Sequence, residues 1–423
     1  MTNFPLKIAI IGAGPGGLTL ARMLQQAKVP FRIFDRDATS EVRGQGGSLD
    51  LHPESGQLAM RAAGLYEEFI KRARVEAECM KLVTANATVV LDESAIQSDE
   101  PTRNRPEIDR SELRILLLCS LRPGTVQWGH KLLKVEPHPA GNTAARETYT
   151  IHFNVSGKLS TEGPFDIVIG ADGAHSKVRP LLTEEQAFYS GISMIEVSAL
   201  DVDEKKKWLA KYVGVGSCFM LDEGRAIFAQ RNGNGSIRVY ACVRQPDGWF
   251  DTCGIDWSAP DTARKQLVNE YFSDCAVEVK RLILDSDDTL TLRRLDMLPV
   301  GLTWAPRGGV TLLGDAAHLM TPFAGKGVNA ALQDAMELGQ AISRGVEKKQ
   351  GVDGVIQELS AYEKCMFERT GGLAQETWEG LKVCFSHDGA ERLMDIVGGP
   401  PPESKEEEQG VQIGGGTEVI AVA

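Results

Sequence analysis

Three glycines, Gly12, Gly14 and Gly17, are spaced as G-x-G-x-x-G in the run GAGPGG, after the apolar stretch 6–11 and before LTLARMLQQA. Glycine at these places permits a sharp turn, close approach of backbone to a pyrophosphate, and tight packing of helix on strand. The helix that follows presents unpaired N–H groups and the positive end of its dipole to the phosphates. Asp35 ends the next apolar stretch, 29–34, where a carboxylate can take ribose hydroxyls. Arg36 beside it faces either adenine or solvent. Strand, turn, helix and strand close a unit of roughly the 30 residues that βαβ requires. The chemistry predicted is dinucleotide binding, and this fingerprint leaves NAD and FAD both open.

A second constellation lies far along the chain. In PFAGKGVN, Pro322, Gly325 and Gly327 form a turn whose backbone can approach a flat ring, immediately before the small-residue helix expected over 328–342. Two segments, DIVIGADGAHSKVR (166–179) and GDAAHLMTPFAGKGVN (314–329), carry an Asp-Gly and a Gly-Asp pair. With GAGPGG, in this order, they resemble the signatures of the FAD-dependent aromatic hydroxylases, the class A flavoprotein monooxygenases. GGSLDLHPESGQLAM (46–60) and RPEIDRSELRILLL (105–118) are similar to segments of the tetracycline-inactivating flavin monooxygenases within that family.

The resemblance implies FAD as cofactor, NADPH or NADH as reductant, and dioxygen as co-substrate. It implies transfer of oxygen through a flavin C4a-hydroperoxide to a phenolic or enolic, polycyclic substrate such as a polyketide or a tetracycline-like compound. Asp315 would hydrogen-bond the ribityl chain, and Arg110 would contact the cofactor from the side or else form a surface ion pair. The helix start at Gly327, Val328 and Asn329 would face the flavin pyrimidine edge, where a positive dipole end stabilises the reduced anion. Asp172 and Gly173 would flank the cofactor groove, a role compatible with an ordinary helix cap. Gly46, Gly47 and Asp50 would line the flavin edge with Arg43 reaching toward it, or form a plain β-turn. His318 is expected to be structural, and no protein side chain is required as a nucleophile. Substrate contacts are expected from Arg225, Gln230 and Arg238, with Phe323, Phe219 and Phe228, against the alternative of sheet packing. Arg238 stands where the tetracycline-inactivating enzymes present a histidine, which argues against tetracycline itself.

Positioning these residues needs an α/β fold: a Rossmann-like FAD-binding domain, a second domain on a mostly antiparallel sheet, and a C-terminal helical segment. The apolar stretches 6–11, 29–34, 165–169 and 310–313 read as buried parallel strands, and 111–121 as a helix. Between 187 and 290, alternating runs broken by Gly and Asn predict hairpins. The expected division is 1–78, 104–186 and 291–342 for the FAD-binding domain, 79–103 and 187–290 for the substrate domain, and 343–397 for helices. The Gly/Pro-rich, acidic tail 398–423 has the composition of a disordered segment.

Composition narrows the partners. The 423 residues carry a net charge of −12, which gives phosphate backbones no general attraction, so nucleic acid is not an expected partner. No apolar stretch approaches the roughly 20 residues that span a bilayer, and the start resembles no secretion signal, so a cytoplasmic protein is expected. The cysteines show no zinc-ligand spacing and no metal is expected. Monomer and dimer are both open. Two alternatives stand beside the monooxygenase: a flavin-binding protein that sequesters a ligand without turnover, and a flavin-dependent halogenase, whose Trp-x-Trp motif the six tryptophans do not form.

Overall fold

The computed structural model describes residues 6–41, 46–95, 104–138, 146–287, 290–348 and 350–397. Arg43 and the tail 398–423 lie outside them. A five-stranded sheet is ordered Val310–Leu312, Ile167–Gly170, Ile8–Ile11, Arg32–Phe34, Val126–Gln127, with every pair parallel. Strands buried on both faces read as unbroken apolar runs, which is why this sheet was visible in the chain. Helix Pro15–Gln26 packs on it through Leu18, Leu20 and Leu24, and helix Gly327–Glu347 lies against that helix.

A three-stranded antiparallel sheet, His130–His138, Thr148–Val155 and Lys158–Phe165, covers the far end of the same core. Phe153 stacks on Phe34 with ring centroids 4.7 Å apart. Its signal was present in the alternation of TYTIHFNV and in Ser156-Gly157, a two-residue turn with both φ values positive.

The seven-stranded sheet is ordered Leu290–Met297, Phe188–Ala199, Ile237–Arg244, Arg225–Arg231, Ser217–Asp222, Met80–Val83, Val89–Asp92. It is antiparallel except where Ser217–Asp222 pairs with Met80–Val83. Residues 291–297, expected with the first domain, are instead an edge strand here, because Leu290–Met297 takes its backbone partners from Phe188–Ala199. Helices Pro260–Tyr271 and Val277–Leu284 interrupt the expected run of hairpins and cover one face through Leu267, Val279 and Ile283.

The period of two along each strand gives the sheet two faces. Ile195, Ile227, Ala229, Val239 and Ala241 meet those helices. Met194, Phe228, Tyr240 and Cys242 point the other way, against the turn at Phe323 and the end of helix Gly351–Cys384. A short helix, Gly389–Val397, closes the expected C-terminal helical region. Among the described residues no helix is long and apolar enough to cross a membrane.

Candidate cofactor and substrate site

The glycine turn has the geometry its residue types demand. Gly12 sits at φ +109 and donates its N–H to Phe34 O at 2.8 Å. A Cβ on Gly12 would collide with the carbonyl oxygen of Ala171, and one on Gly17 with the carbonyl oxygen of Gly12. In front of Gly14 there is open space, with nothing within 4 Å of where a Cβ would stand. Pro15 begins the helix, no side chain caps it and no acidic residue occupies its first turn, so its N–H groups remain available to an anion. Asp35 accepts from Ala13 N–H at 2.6 Å and from Asp37 N–H at 2.8 Å, which fixes its carboxylate beside the turn. Arg36 is exposed.

The two later motifs meet at Arg179, which is buried. Its guanidinium donates to Ala316 O at 3.1 Å and to Ala174 O at 2.7 Å, stitching the Asp-Gly loop to the Gly-Asp loop. Asp172 accepts from Ser176 Oγ at 2.5 Å and Lys177 N–H at 2.7 Å. Burial nonetheless pushes its carboxyl up from the ordinary carboxylate value. Asp315 is exposed at the start of the short helix Asp315–His318. His318 faces inward and donates to Asp334 Oδ2 at 2.6 Å. Asp334 is fully buried and also accepts from Gly314 N–H at 2.8 Å and from Arg369 at 2.9 Å.

The turn 322–327 brings the remaining residues together. Pro322 is exposed and Gly325 has φ +64, a conformation that favours glycine. No described residue accepts from the N–H groups of Gly327, Val328 and Asn329, which open the long helix without a side-chain cap. The Asn329 side chain is not free for a cofactor: it accepts from His52 N–H at 2.8 Å and donates to Asp50 O at 2.9 Å. It ties the helix start to the ribbon formed by Ser48–Asp50 and Glu107–Asp109. At the end of that ribbon Arg110 packs over Gly46, and its N–H donates to Gly47 O at 3.2 Å.

Gly47 is one place where the two halves of the protein touch. A Cβ there would collide with Gln230 Oε1 and stand 3.0 Å from Tyr240 Oη. Phe323 meets Phe228 at 5.6 Å and Phe385 at 5.2 Å between ring centroids, and Phe219 meets Phe228 at 5.0 Å. On the same sheet face Glu196 is paired with both Arg238 and Arg293. Tyr240, Glu196 and Arg293 were not singled out in the sequence. Strand alternation from Arg238 would have found Tyr240.

Arg225 is a correction. Its neighbours in the pleat are Ile227 and Ala229, so it points to the helix-covered face, where it binds Asp222, Asp274 and Tyr271 O. Arg225→Ala is expected to leave the KM of any substrate unchanged and to lower stability by about 1 kcal/mol, because Asp274 is largely exposed and screened. Urea unfolding alongside steady-state kinetics checks this. A severalfold rise in KM at unchanged stability would restore the substrate role.

Known proteins share this fold. The family described as FAD binding domain matches residues 6–363. The chain is 30% identical to monooxygenase penA of Penicillium thymicola, over 92% of this chain and 98% of that protein. In solved structures it is similar to Klebsiella pneumoniae HpxO complexed with FAD and uric acid, with TM-score 0.70 and 23% identity over 92% of this chain and 91% of that one. It is also similar to the tetracycline destructase Tet(55), with TM-score 0.67 and 18% identity over 94% and 96%. At these identities the two structures speak for the fold.

Proposed function

The chain belongs to the FAD binding domain family, among FAD-dependent monooxygenases, and from that premise we propose that it uses NAD(P)H and dioxygen to hydroxylate a phenolic or enolic, polycyclic substrate of polyketide or tetracycline-like type. The observation that carries this reading is the contact of Gly47 with Gln230 and Tyr240, which lays an aromatic-lined sheet face over the flavin-side loops.

The residues present fit FAD. The open backbone at Gly14 and the uncapped helix suit the pyrophosphate, Asp35 suits the ribose, and Asp315 suits the ribityl chain. The free N–H groups at Gly327, Val328 and Asn329 suit the electron-rich edge of the ring. Bound FAD, reduced by NAD(P)H, supplies the oxygen chemistry. The protein's share is orientation and dryness. Phe219, Phe228 and Phe323 form a wall that excludes water from a flat substrate, while Gln230 and Tyr240 offer polar groups to a phenol or enol.

The test is NADPH oxidation and oxygen uptake by the FAD-loaded protein with a panel of phenols and tetracycline-like polyketides. The expected result is a compound that speeds oxidation and gains about 16 mass units. Flavin binding with no compound altering rate or mass supports ligand sequestration without turnover.

A further inference from the structure

The ribbon behind the Gly325 turn holds more acid than the cofactor reading uses. Ser48 is in register with Asp109 and Asp50 with Glu107, so all four side chains leave one face, while Leu49 and Ile108 fill the core behind. Asp109 and Glu107 share one guanidinium, that of Arg74, which donates to Ser48 Oγ at 3.0 Å and Asp109 Oδ1 at 3.1 Å. Asp109 also accepts Gly233 N–H at 3.0 Å. Asp50 is engaged by the buried His52 at 2.8 Å, whose other nitrogen faces Glu54 at 3.4 Å. Arg105 and Lys326 act on Glu54. Glu107 is left poorly served: Ser48 is its hydrogen-bond partner, Arg74 its cation, Asp50 and Asp109 its like-charged neighbours, and its buried Oε2 has no partner.

We propose that Glu107 is a positioning residue that carries a proton in the working protein, so that of the ribbon's carboxyl groups Asp50 alone presents negative charge to the Gly325 turn, beside the Glu54 and Glu376 carboxylates that face Lys326; this rests on the FAD reading of that turn. Asp50 reaches the turn twice. Its carbonyl accepts from Asn329, and its carboxylate lies 3.4 Å from where a Cβ on Gly325 would stand. Ionised Glu107 sets a second negative charge opposite Asp50, and the ribbon relieves the repulsion by drawing Asp50 away from the helix start. Burial first, and the Asp50 charge second, raise the Glu107 carboxyl to about 7. The proton is therefore lost within the range of ordinary assays.

Flavin fluorescence titrations between about pH 6 and 8.5 test this. Wild-type affinity for FAD is expected to weaken about tenfold across that range, because FAD binding and proton loss at Glu107 oppose one another. Glu107→Gln is expected to keep its low-pH affinity throughout. Asp50→Asn is expected to flatten the FAD profile, because without the neighbouring charge there is no repulsion to relieve, and to move the Glu107 midpoint in melts of the cofactor-free protein to lower pH, so this variant decides the matter if Glu107→Gln does not fold. Melts of the cofactor-free protein give a second readout. A carboxyl raised by folding costs stability as pH rises from its unfolded value through about 7, so Glu107→Gln gains on wild type across that window. A flat wild-type profile, or a Glu107→Gln profile that keeps the wild-type slope, overturns the proposal. Wild-type protein that binds no FAD at pH 6 overturns the cofactor reading instead, and the melts separate the two.

Discussion

Asp334→Asn is expected to destabilise the protein by about 3 to 5 kcal/mol, the cost of removing one partner from a buried charge cluster. Asp334 is fully buried between His318 and Arg369 and accepts Gly314 N–H as well. An asparagine keeps one acceptor oxygen but turns an NH2 toward a cation. Burial alone would pull the His318 imidazole down. The charge and hydrogen bond of Asp334 outweigh it and hold the group above its ordinary value. A histidine raised by folding stabilises fully below its unfolded pKa and loses that contribution as pH rises through its folded one. Asp334 is lowered, burial opposing and His318 with Arg369 prevailing, so its own contribution is present above the unfolded value near 3.8 and disappears in acid. Wild-type stability should therefore decline on the alkaline side of about pH 6.5. In Asp334→Asn burial and Arg369 act against only the exposed Asp315, the imidazole goes neutral and that slope reverses. Urea unfolding at several pH values measures both effects, and an unchanged midpoint at every pH would refute the role assigned to the cluster. Where the amide nitrogen takes the Oδ2 place, Gly314 N–H loses its acceptor, and the placement of Asp315 and FAD retention should suffer with it.

Legibility in the chain followed how narrowly a position restricts its residue. The glycine turn could be read because Gly12 and Gly17 face backbone that no side chain could clear. The parallel strands could be read because both faces are buried. Arg225 could not be assigned a face, because the turn just before it sets the strand's parity and a shift of one residue exchanges core for site. Helices Pro260–Tyr271 and Val277–Leu284 were legible in principle: Ala263 and Leu267, then Val279 and Ile283, recur four residues apart. The alternating runs upstream set the expectation of hairpins there. Asp50 opposite Glu107, and Asp334 beside Arg369, depend on register and helix packing between distant segments, which composition and spacing do not encode.

Gly12→Ala and Gly14→Ala should separate folding from cofactor binding. At Gly12 an alanine meets two obstacles. A φ of +109 is strained for any side chain, at about 1 to 3 kcal/mol. The Cβ also strikes Ala171 O, on a residue whose own N–H is held by Ile11 O at 2.8 Å. The strike cannot be relieved by a rotamer, because a Cβ has none and Ala171 O is a backbone atom, each on the residue that directly follows one of two neighbouring strands of one sheet. Relief must move the loop that carries Asp172, so Gly12→Ala should melt early even without flavin and lose FAD affinity by at least about a hundredfold, equivalent to roughly 3 kcal/mol. Gly14 has an ordinary φ of −76 and open space ahead of it. Its alanine variant should melt like wild type without flavin yet bind FAD weakly, because the methyl group occupies the space assigned to the pyrophosphate. Calorimetry of the flavin-free proteins and fluorescence titration with FAD give the two numbers for each variant. A Gly14→Ala protein that holds FAD as tightly as wild type would place the pyrophosphate elsewhere, and the reading of the whole turn would fall with it.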